Sequence, residues 1–410
     1  MQKPEIQLLA TGSELLSGNS QDSNSGWIAS RLLESGLRVS SITVLPDNPK
    51  ILYEHLDRVL NLAQETIVIM TGGLGPTADD FTLEVVKKFT NGKLKQIQSA
   101  FLKLENRFAM GKMSKDAYEL ATRQTMIPQQ AHAIENEKGI APGIALKINN
   151  VLLLCLPGVP REMKHMLEKS IIPDILDSYR QNHIYSYSRL LWNLGETELE
   201  TSFIRHNSVL QNENVTWGVA PKKGYLKVTF QSSQQIDLDR IAADLTEAYP
   251  DNSTADVFKI LPEFLISNGL SISTAESCTG GQVASLLTDT PGSSSYFKGS
   301  IIAYANEIKT GLLGVKQQTL DTYGAVSHET ALEMLTGPSD TFHTDIAVSV
   351  TGIAGPGGGT AQKPVGLVYI GIKYKNKSEV FEFYFSGDRT NIRELTVNQT
   401  FFLVSKILCI

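Results

Sequence analysis

No apolar run in this chain approaches the roughly 18 residues that a membrane-spanning helix requires, so no transmembrane segment is expected. The opening Met1-Gln-Lys-Pro-Glu-Ile6 lacks a charged region followed by an apolar one. No secretory signal is therefore expected, and a cytoplasmic protein is the simplest reading. Cysteine is scarce. Cys155, Cys278 and Cys409 are odd in number, far apart and without metal-ligand spacing, which argues against a disulfide or zinc framework. Basic charge is not in excess either: 37 Lys and Arg stand against 43 Asp and Glu, a formal net charge of -6. With no basic block or stripe, nucleic acid is not an expected partner through bulk charge, although a local basic groove is not excluded. What remains is an ordinary globular composition, 41% hydrophobic and 20% charged over 410 residues, enough for two or three domains.

The front of the chain alternates strand and helix. Ile6–Ala10 reads as a buried strand, and Asp22-Ser-Asn-Ser25 caps an amphipathic helix whose Trp27, Ile28, Leu32 and Leu33 recur at helical spacing. A strand over Val39–Leu45, a helix over Asn48–Ala63 and a strand over Thr66–Met70 follow, and this βαβαβ order predicts a parallel sheet with helices on both faces. The third strand runs into Thr71-Gly-Gly-Leu-Gly-Pro-Thr-Ala-Asp-Asp80. Gly72 and Gly73 allow close backbone approach to phosphate oxygens, and Thr71 and Thr77 can donate. Asp79 and Asp80 repel a phosphate unless a divalent cation bridges them. A metal–nucleotide or pyrophosphate site is one reading; a glycine turn followed by an Asp helix cap is the plainer one. Neither a Walker loop nor a GxGxxG fingerprint is present.

Leu94–Ala109 and Ser114–Arg123 read as helices, an excursion expected to lid that site, and Ile144–Ile148 and Val151–Leu156 as strands paired around Asn149-Asn150. Cys155, in the second of these runs, is expected to pack as a small hydrophobe. Glu162 lies near a helix N-terminus, as a metal ligand or as a dipole-favoured carboxylate. Residues 180–250 follow a β-α-β-β-α pattern without the GxxG loop that KH-type RNA binding requires. A spacer or dimerisation module is expected there.

The back of the chain is organised around Ser273-Thr-Ala-Glu-Ser-Cys-Thr-Gly-Gly281, a strand turning into a helix from Gln282. Such a turn presents free N–H groups and two hydroxyls, Ser277 and Thr279, at a positive helix end. Tyr304 and Lys309 follow 27 and 32 residues after Ser277, with Tyr304 and Asn306 expected from a strand over Ser300–Tyr304 and Lys309 from the next helix. The strand Ile346–Val350 feeds a second glycine turn carrying Thr351 and Gly352. Ser386-Gly-Asp-Arg389 opens a terminal helix with Arg393 one turn on. Ser, Tyr, Lys and Thr are the groups needed for amide hydrolysis by a lysine-activated hydroxyl.

The segments AESCTGG, GSSSYFKGSIIAYANEIK, GAVS, TGIAGPGGG, KPVGLVYI and FSGDR resemble, in order, the nicotinamide-nucleotide amidase (PncC-type) domain of the CinA family, over roughly residues 255–410. GSELLSG with the later D-S-N, then TGGLGPTADD, GIAPGI and LPGVPREM, resemble the MoaB/MogA-like domain that begins CinA proteins. The resemblance implies an α/β chain of three parts: a three-layer MoaB/MogA-like domain (1–175), a small α+β KH-like module (176–252) and an α/β deamidase domain (253–410). It implies hydrolysis of the carboxamide of nicotinamide mononucleotide at the back, with no cofactor. At the front it implies a metal-dependent ADP-ribose pyrophosphatase, using a divalent cation (Mg, Mn or Co) helped by potassium. Glu14, Asp22, Asp80 and Glu162 fall on the family's acidic motif positions, and Ser23 stands where many relatives have threonine. A homodimer is expected.

For the deamidation, Ser277 is the natural nucleophile and Lys309 the base, provided that burial lowers its pKa. Tyr304 could relay the proton, and Thr351 with the N–H groups of Thr351 and Gly352 could hold the oxyanion. Arg389 and Arg393 could grip the 5′-phosphate. Glu276, Thr279, Gly280, Ser293 and Asn306 complete the expected contacts. Cys278 is a rival nucleophile, although a packing role is preferred for it, Lys363 is a rival base, and His328 is read as a helix N-terminal residue rather than a triad member. Two other classes stay in view: a molybdopterin or pterin carrier, and an interaction protein of competence or DNA repair.

Overall fold

The computed structural model describes residues 4–111, 113–178 and 184–410. Residues 1–3, on which part of the targeting reading rests, lie outside these. The chain forms two compact units, one running up to Ser186 with Gln231–Gln235, the other made of Tyr187–Phe230 and Ile236–Ile410. No helix among the described residues is long and apolar enough to cross a membrane.

In the first unit, strands β1 (Glu5–Thr11), β2 (Val39–Leu45) and β3 (Thr66–Thr71) are followed by a short pair, β4 (Leu94–Gln96) and β5 (Met126–Pro128), then β6 (His132–Ile134), β7 (Gly143–Ile148) and β8 (Val151–Leu156). The main sheet runs β2-β1-β3-β8-β7-β6, parallel across its first four strands and antiparallel at β7 and β6. Every residue of β3 is buried, as a strand covered on both faces must be. Helix Ser23–Glu34 sends Ile28 and Leu32 into one core with Met163 and Met166, while Leu52 and Leu56 of helix Pro49–Leu60 enter another. Because β1, β2, β3 and β8 are parallel, the loops at their carboxyl ends gather along one edge of the sheet.

The expected helix over Leu94–Ala109 starts later, at Gln98. Leu94 and Ile97 both pack on the core; Leu94–Gln96 pairs with Met126–Pro128 in a short ladder, and the Ile97 N–H donates to the Thr125 carbonyl. The β7–β8 hairpin turns where expected. Asn149 takes a positive φ of 51°, and the Asn149 and Asn150 amides tie the turn to the carbonyls of Leu60 and Ala63.

Mostly within the second unit, β9 (Tyr185–Trp192), β10 (Val215–Lys222), β11 (Tyr225–Ser232) and β12 (Ser253–Thr254) form a small sheet in the order β10-β11-β9-β12, with helices Glu196–Leu199 and Gln235–Ala248. This β-α-β-β-α module shares a core with the end of the chain: Trp192 is fully buried, stacks on Phe402 at 4.8 Å and donates from Nε1 to Thr254. The remaining strands, β13 (Ile272–Glu276), β14 (Phe297–Ile302), β15 (Ile346–Gly352), β16 (Leu367–Tyr374) and β17 (Lys377–Tyr384), pair in the order β14-β13-β15-β16-β17. β14 and β15 flank β13 in parallel, and β16 and β17 extend the sheet antiparallel. Helix Arg389–Leu408, capped by Asp388, is buried along most of its length.

Candidate active sites

In the second unit, parallel pairing of β13 with β15 sets Glu276 beside Val350, and Ser277 N–H donates to the Val350 carbonyl at 2.9 Å. The two glycine turns that the sequence separates by some seventy residues are thereby neighbours. Helix Asn306–Leu313 then points Lys309 inward. Its side chain is 1% exposed, and Nζ lies 3.1 Å from Ser277 Oγ and 2.7 Å from the Ala303 carbonyl. None of its hydrogen-bond partners is a carboxylate. Desolvation therefore pushes the Lys309 pKa below the ordinary lysine range. A buried lysine whose pKa is lowered, set against a serine hydroxyl, is the arrangement that general-base activation requires.

Three expected contacts are spent differently. Glu276 is 0% exposed, and its carboxylate accepts from the N–H groups of Gly281, Val283 and Ala284 at 2.8–3.2 Å. It caps helix Gln282–Thr288 from within, so the N–H groups read as free for an anion are already taken. Tyr304 is not on β14. That strand ends at Ile302, one more bond joins Ala303 N–H to the Glu276 carbonyl, and Tyr304 emerges 63% exposed. Its hydroxyl accepts from Arg389 Nη2 at 2.7 Å, while Lys309 reaches Ser277 without a relay. Thr351 donates its hydroxyl to the Ala325 carbonyl at 2.7 Å, and the main chain of Thr351 and Gly352, expected to hold an oxyanion, belongs to β15 and pairs with Tyr369 and Val368 of β16.

The rival groups are committed elsewhere. Cys278 is buried in the core, where desolvation drives its thiol pKa up to about 12, so no thiolate is at hand near neutral pH. Lys363 donates to the carbonyls of Tyr323 and Val326, a clamp on the loop that receives Thr351. His328 is the first residue of a helix capped by Ser327.

Around the turn, Arg393 Nη2 donates to the Thr279 carbonyl, and Arg389 Nη1 to the Gly355 carbonyl. Thr279 Oγ1, Arg393 Nε and Gln282 Oε1 are buried without a hydrogen-bond partner in the structure. Buried polar atoms left unpaired are rare in folded proteins, and at a turn of this kind they are the groups that a ligand or water satisfies. Gln282 was missed from sequence; its place at the first turn of the helix after Gly281 was the available signal. Ser293 lies in a short 3-10 turn, Gly280 takes a positive φ of 59° next to Arg393, and Asn306 is the exposed first residue of its helix.

In the first unit a cleft of about 430 Å³ opens where the carboxyl ends of β1, β2, β3 and β8 converge. Glu14, Gly72, Gly73, Asp79, Asp80 and Glu162 line it, joined by Asp47, Arg107 and Gln124, which the sequence reading did not select. Asp47 had a signal, since it sits just past the end of an expected strand. Gly72 and Gly73 hold φ angles of 105° and 66°, and a Cβ on either would come within 2.5 Å of a threonine hydroxyl oxygen, of Thr11 or of Thr82. Asp80 is not a helix cap. Its Oδ2 accepts from the Thr77 N–H at 2.9 Å and from the Thr77 hydroxyl, which commits that hydroxyl. Glu162 accepts from Asn136 Nδ2 at 2.7 Å. Thr71 is buried at the end of β3. Asp22 does not line the cleft; it caps helix Ser23–Glu34 through the Ser25 N–H.

The cleft's carboxylate oxygens are the hard donors that magnesium or manganese prefers. Among the described residues, however, no group of three or more His, Cys, Asp or Glu is gathered so as to hold a metal ion. The set fits a cation held by one or two carboxylates and completed by substrate phosphates and water, the usual arrangement for magnesium.

Residues 255–408 match the family model described as "CinA C-terminal domain", and residues 7–177 match that described as "Probable molybdopterin binding domain". A CinA-like protein of Leptospira borgpetersenii is 43% identical, covering 98% of each chain, and one of Leptospira biflexa is 42% identical, covering 99% of this chain and 98% of its own. The crystal structure of the competence/damage inducible protein CihA from Agrobacterium tumefaciens is 42% identical over 36% of this chain and 92% of its own, with a TM-score of 0.36. Relatives that match along nearly the whole length at this identity, with a matching model at each end, show that the chain belongs to the CinA family.

Proposed function

We propose that the chain is a bifunctional pyridine-nucleotide hydrolase. Its back site would convert nicotinamide mononucleotide and water to nicotinate mononucleotide and ammonia, and its front cleft would cleave ADP-ribose with a divalent cation. The observation that carries the first activity is the contact of the buried Lys309 with Ser277. Neutral Lys309 takes the Ser277 proton as Oγ attacks the carboxamide carbon. The resulting ammonium returns that proton to the departing nitrogen, which leaves as ammonia, and water then cleaves the ester. Arg393, tied at one end to the Thr279 carbonyl, and Arg389, held by the Gly355 carbonyl and the Tyr304 hydroxyl, would receive the 5′-phosphate.

At the front, Asp80 with Glu14, Asp79 or Glu162 would hold the cation, which would offset the charge of a pyrophosphate; potassium would assist. The protein's own part is to bring the Gly72–Gly73 backbone against the phosphates. The reading includes a homodimer in the cytoplasm, without a nucleic-acid or membrane partner. The test is to incubate the full chain with nicotinamide mononucleotide, following ammonia, and separately with ADP-ribose and Mg, Mn or Co, following AMP. Absence of ammonia release overturns the deamidase, and release undiminished in Ser277→Ala overturns Ser277 as its nucleophile. A second reading of residues 7–177, as a pterin-binding module, is favoured by the description of the matching model. Saturable pterin binding without AMP release would select it.

A further inference from the structure

We propose that Arg107 is a phosphate-binding residue of the front cleft, delivered by helix Gln98–Ala109. The assignment rests on the pyrophosphatase reading of that cleft. Five carboxylates line the space, Glu14, Asp47, Asp79, Asp80 and Glu162, and Arg107 is the one Lys or Arg among the lining residues. An anion entering so acidic a cleft needs positive charge beyond what a bridging cation offsets.

The acids do not consume Arg107. Asp47 accepts from the Ser13 N–H, Asp80 from Thr77 and Glu162 from Asn136, and among the described residues Arg107 forms no ion pair with any of them. Its guanidinium therefore keeps its donors for a ligand, and a planar fork matches two phosphate oxygens at once.

The helix that carries it is anchored rather than loose. Leu104 packs with Ala121 and Ile140, and Ile140 itself lines the cleft. Lys103 donates to Glu135 and to the Asn136 carbonyl, and Ser99 donates to Glu135. Arg107 stands three and four residues beyond Leu104 and Lys103, on the same helix face. The excursion between β3 and β6 thus contributes a side chain to recognition.

The test is calorimetric titration of the full chain with inorganic pyrophosphate in excess magnesium. Arg107→Ala should weaken binding about tenfold or more. Arg107→Lys should fall between, because a point charge survives but the fork does not. Unfolding midpoints should match the wild type, since Arg107 is exposed. Equal affinity of Arg107→Ala and wild type, or no pyrophosphate binding by the wild type, overturns the assignment. A wild type that binds pyrophosphate through Arg107 but releases no AMP from ADP-ribose ends the pyrophosphatase reading and leaves Arg107 in place. AMP release with unchanged binding in Arg107→Ala does the reverse.

Discussion

The two sites use opposite electrostatics. At the back, one lysine is buried to 1% exposure with only neutral oxygens as partners, and loss of water lowers its pKa. At the front, five carboxylates stand around an open cleft, at least three of them held by their own neighbours. On the proposed reading, a buried base would carry its reactivity in the folded chain, whereas an open acidic cleft would need a cation to take a phosphate. The difference explains why one site reads as finished in the bare protein while the other reads only as a donor set.

The sharpest way to break this contrast is Lys309→Met, which should lower ammonia release by about a thousandfold or more, as loss of a general base does. The same variant tests the burial argument through stability. Because the folded pKa of Lys309 lies below its unfolded value, the unfolded chain holds more protons between those two values, and wild-type stability rises with pH across that window. Below the window, Lys309 is charged in both states and its desolvation cost is felt in full. Lys309→Met should therefore resist urea better than wild type at low pH, with the advantage shrinking as pH rises. The deamidation rate should likewise climb with pH and level off below the ordinary lysine pKa.

Next in size, Asp80→Asn or a chelator should bring AMP release from ADP-ribose to background while changing deamidation less than twofold, roughly the scatter of such assays, as expected for a metal confined to one site. Joint loss of both activities on chelation would show that the sites are coupled. A smaller effect separates structure from substrate contact at the back. Glu276→Gln should cost about 2 kcal/mol in urea unfolding, because it replaces a charged acceptor serving three N–H groups. A raised KM at unchanged stability would instead return Glu276 to the substrate. The smallest is Asp22→Ser, which keeps a helix cap and should shift stability by no more than about 0.5 kcal/mol, with AMP release retained. Loss of AMP release to background would restore Asp22 as a metal ligand.

Much of the candidate back site is legible in the sequence. Ser277, Lys309, Thr351 and Arg393 lie on turns and helix starts whose glycines and caps mark them in the sequence, and β13, β15 and the terminal helix fall where their apolar runs and Asp388 place them. The small module was legible for the same reason, since period-two strands and caps are local signals. Less legible were the partners of each polar group. Glu276 looked like a substrate contact because it lies in the same glycine turn as Ser277 and Thr279, and Tyr304 looked like a relay because it lies between Ser277 and Lys309 in sequence.

The sequence by itself determined the order of elements, the βαβ grammar of the front unit, the family, and the residue types available at each glycine turn. These depend on periodicity and on backbone chemistry within a few residues. Only the tertiary structure decided that Lys309 touches Ser277 directly, that Glu276 turns inward to cap its own helix, that Asp22 caps while Asp47 and Arg107 line the cleft, and that Lys363 clamps a loop. Burial and hydrogen-bond pairing are set by residues tens to more than a hundred positions apart, and which donor meets which acceptor is fixed only when the strands have found their register.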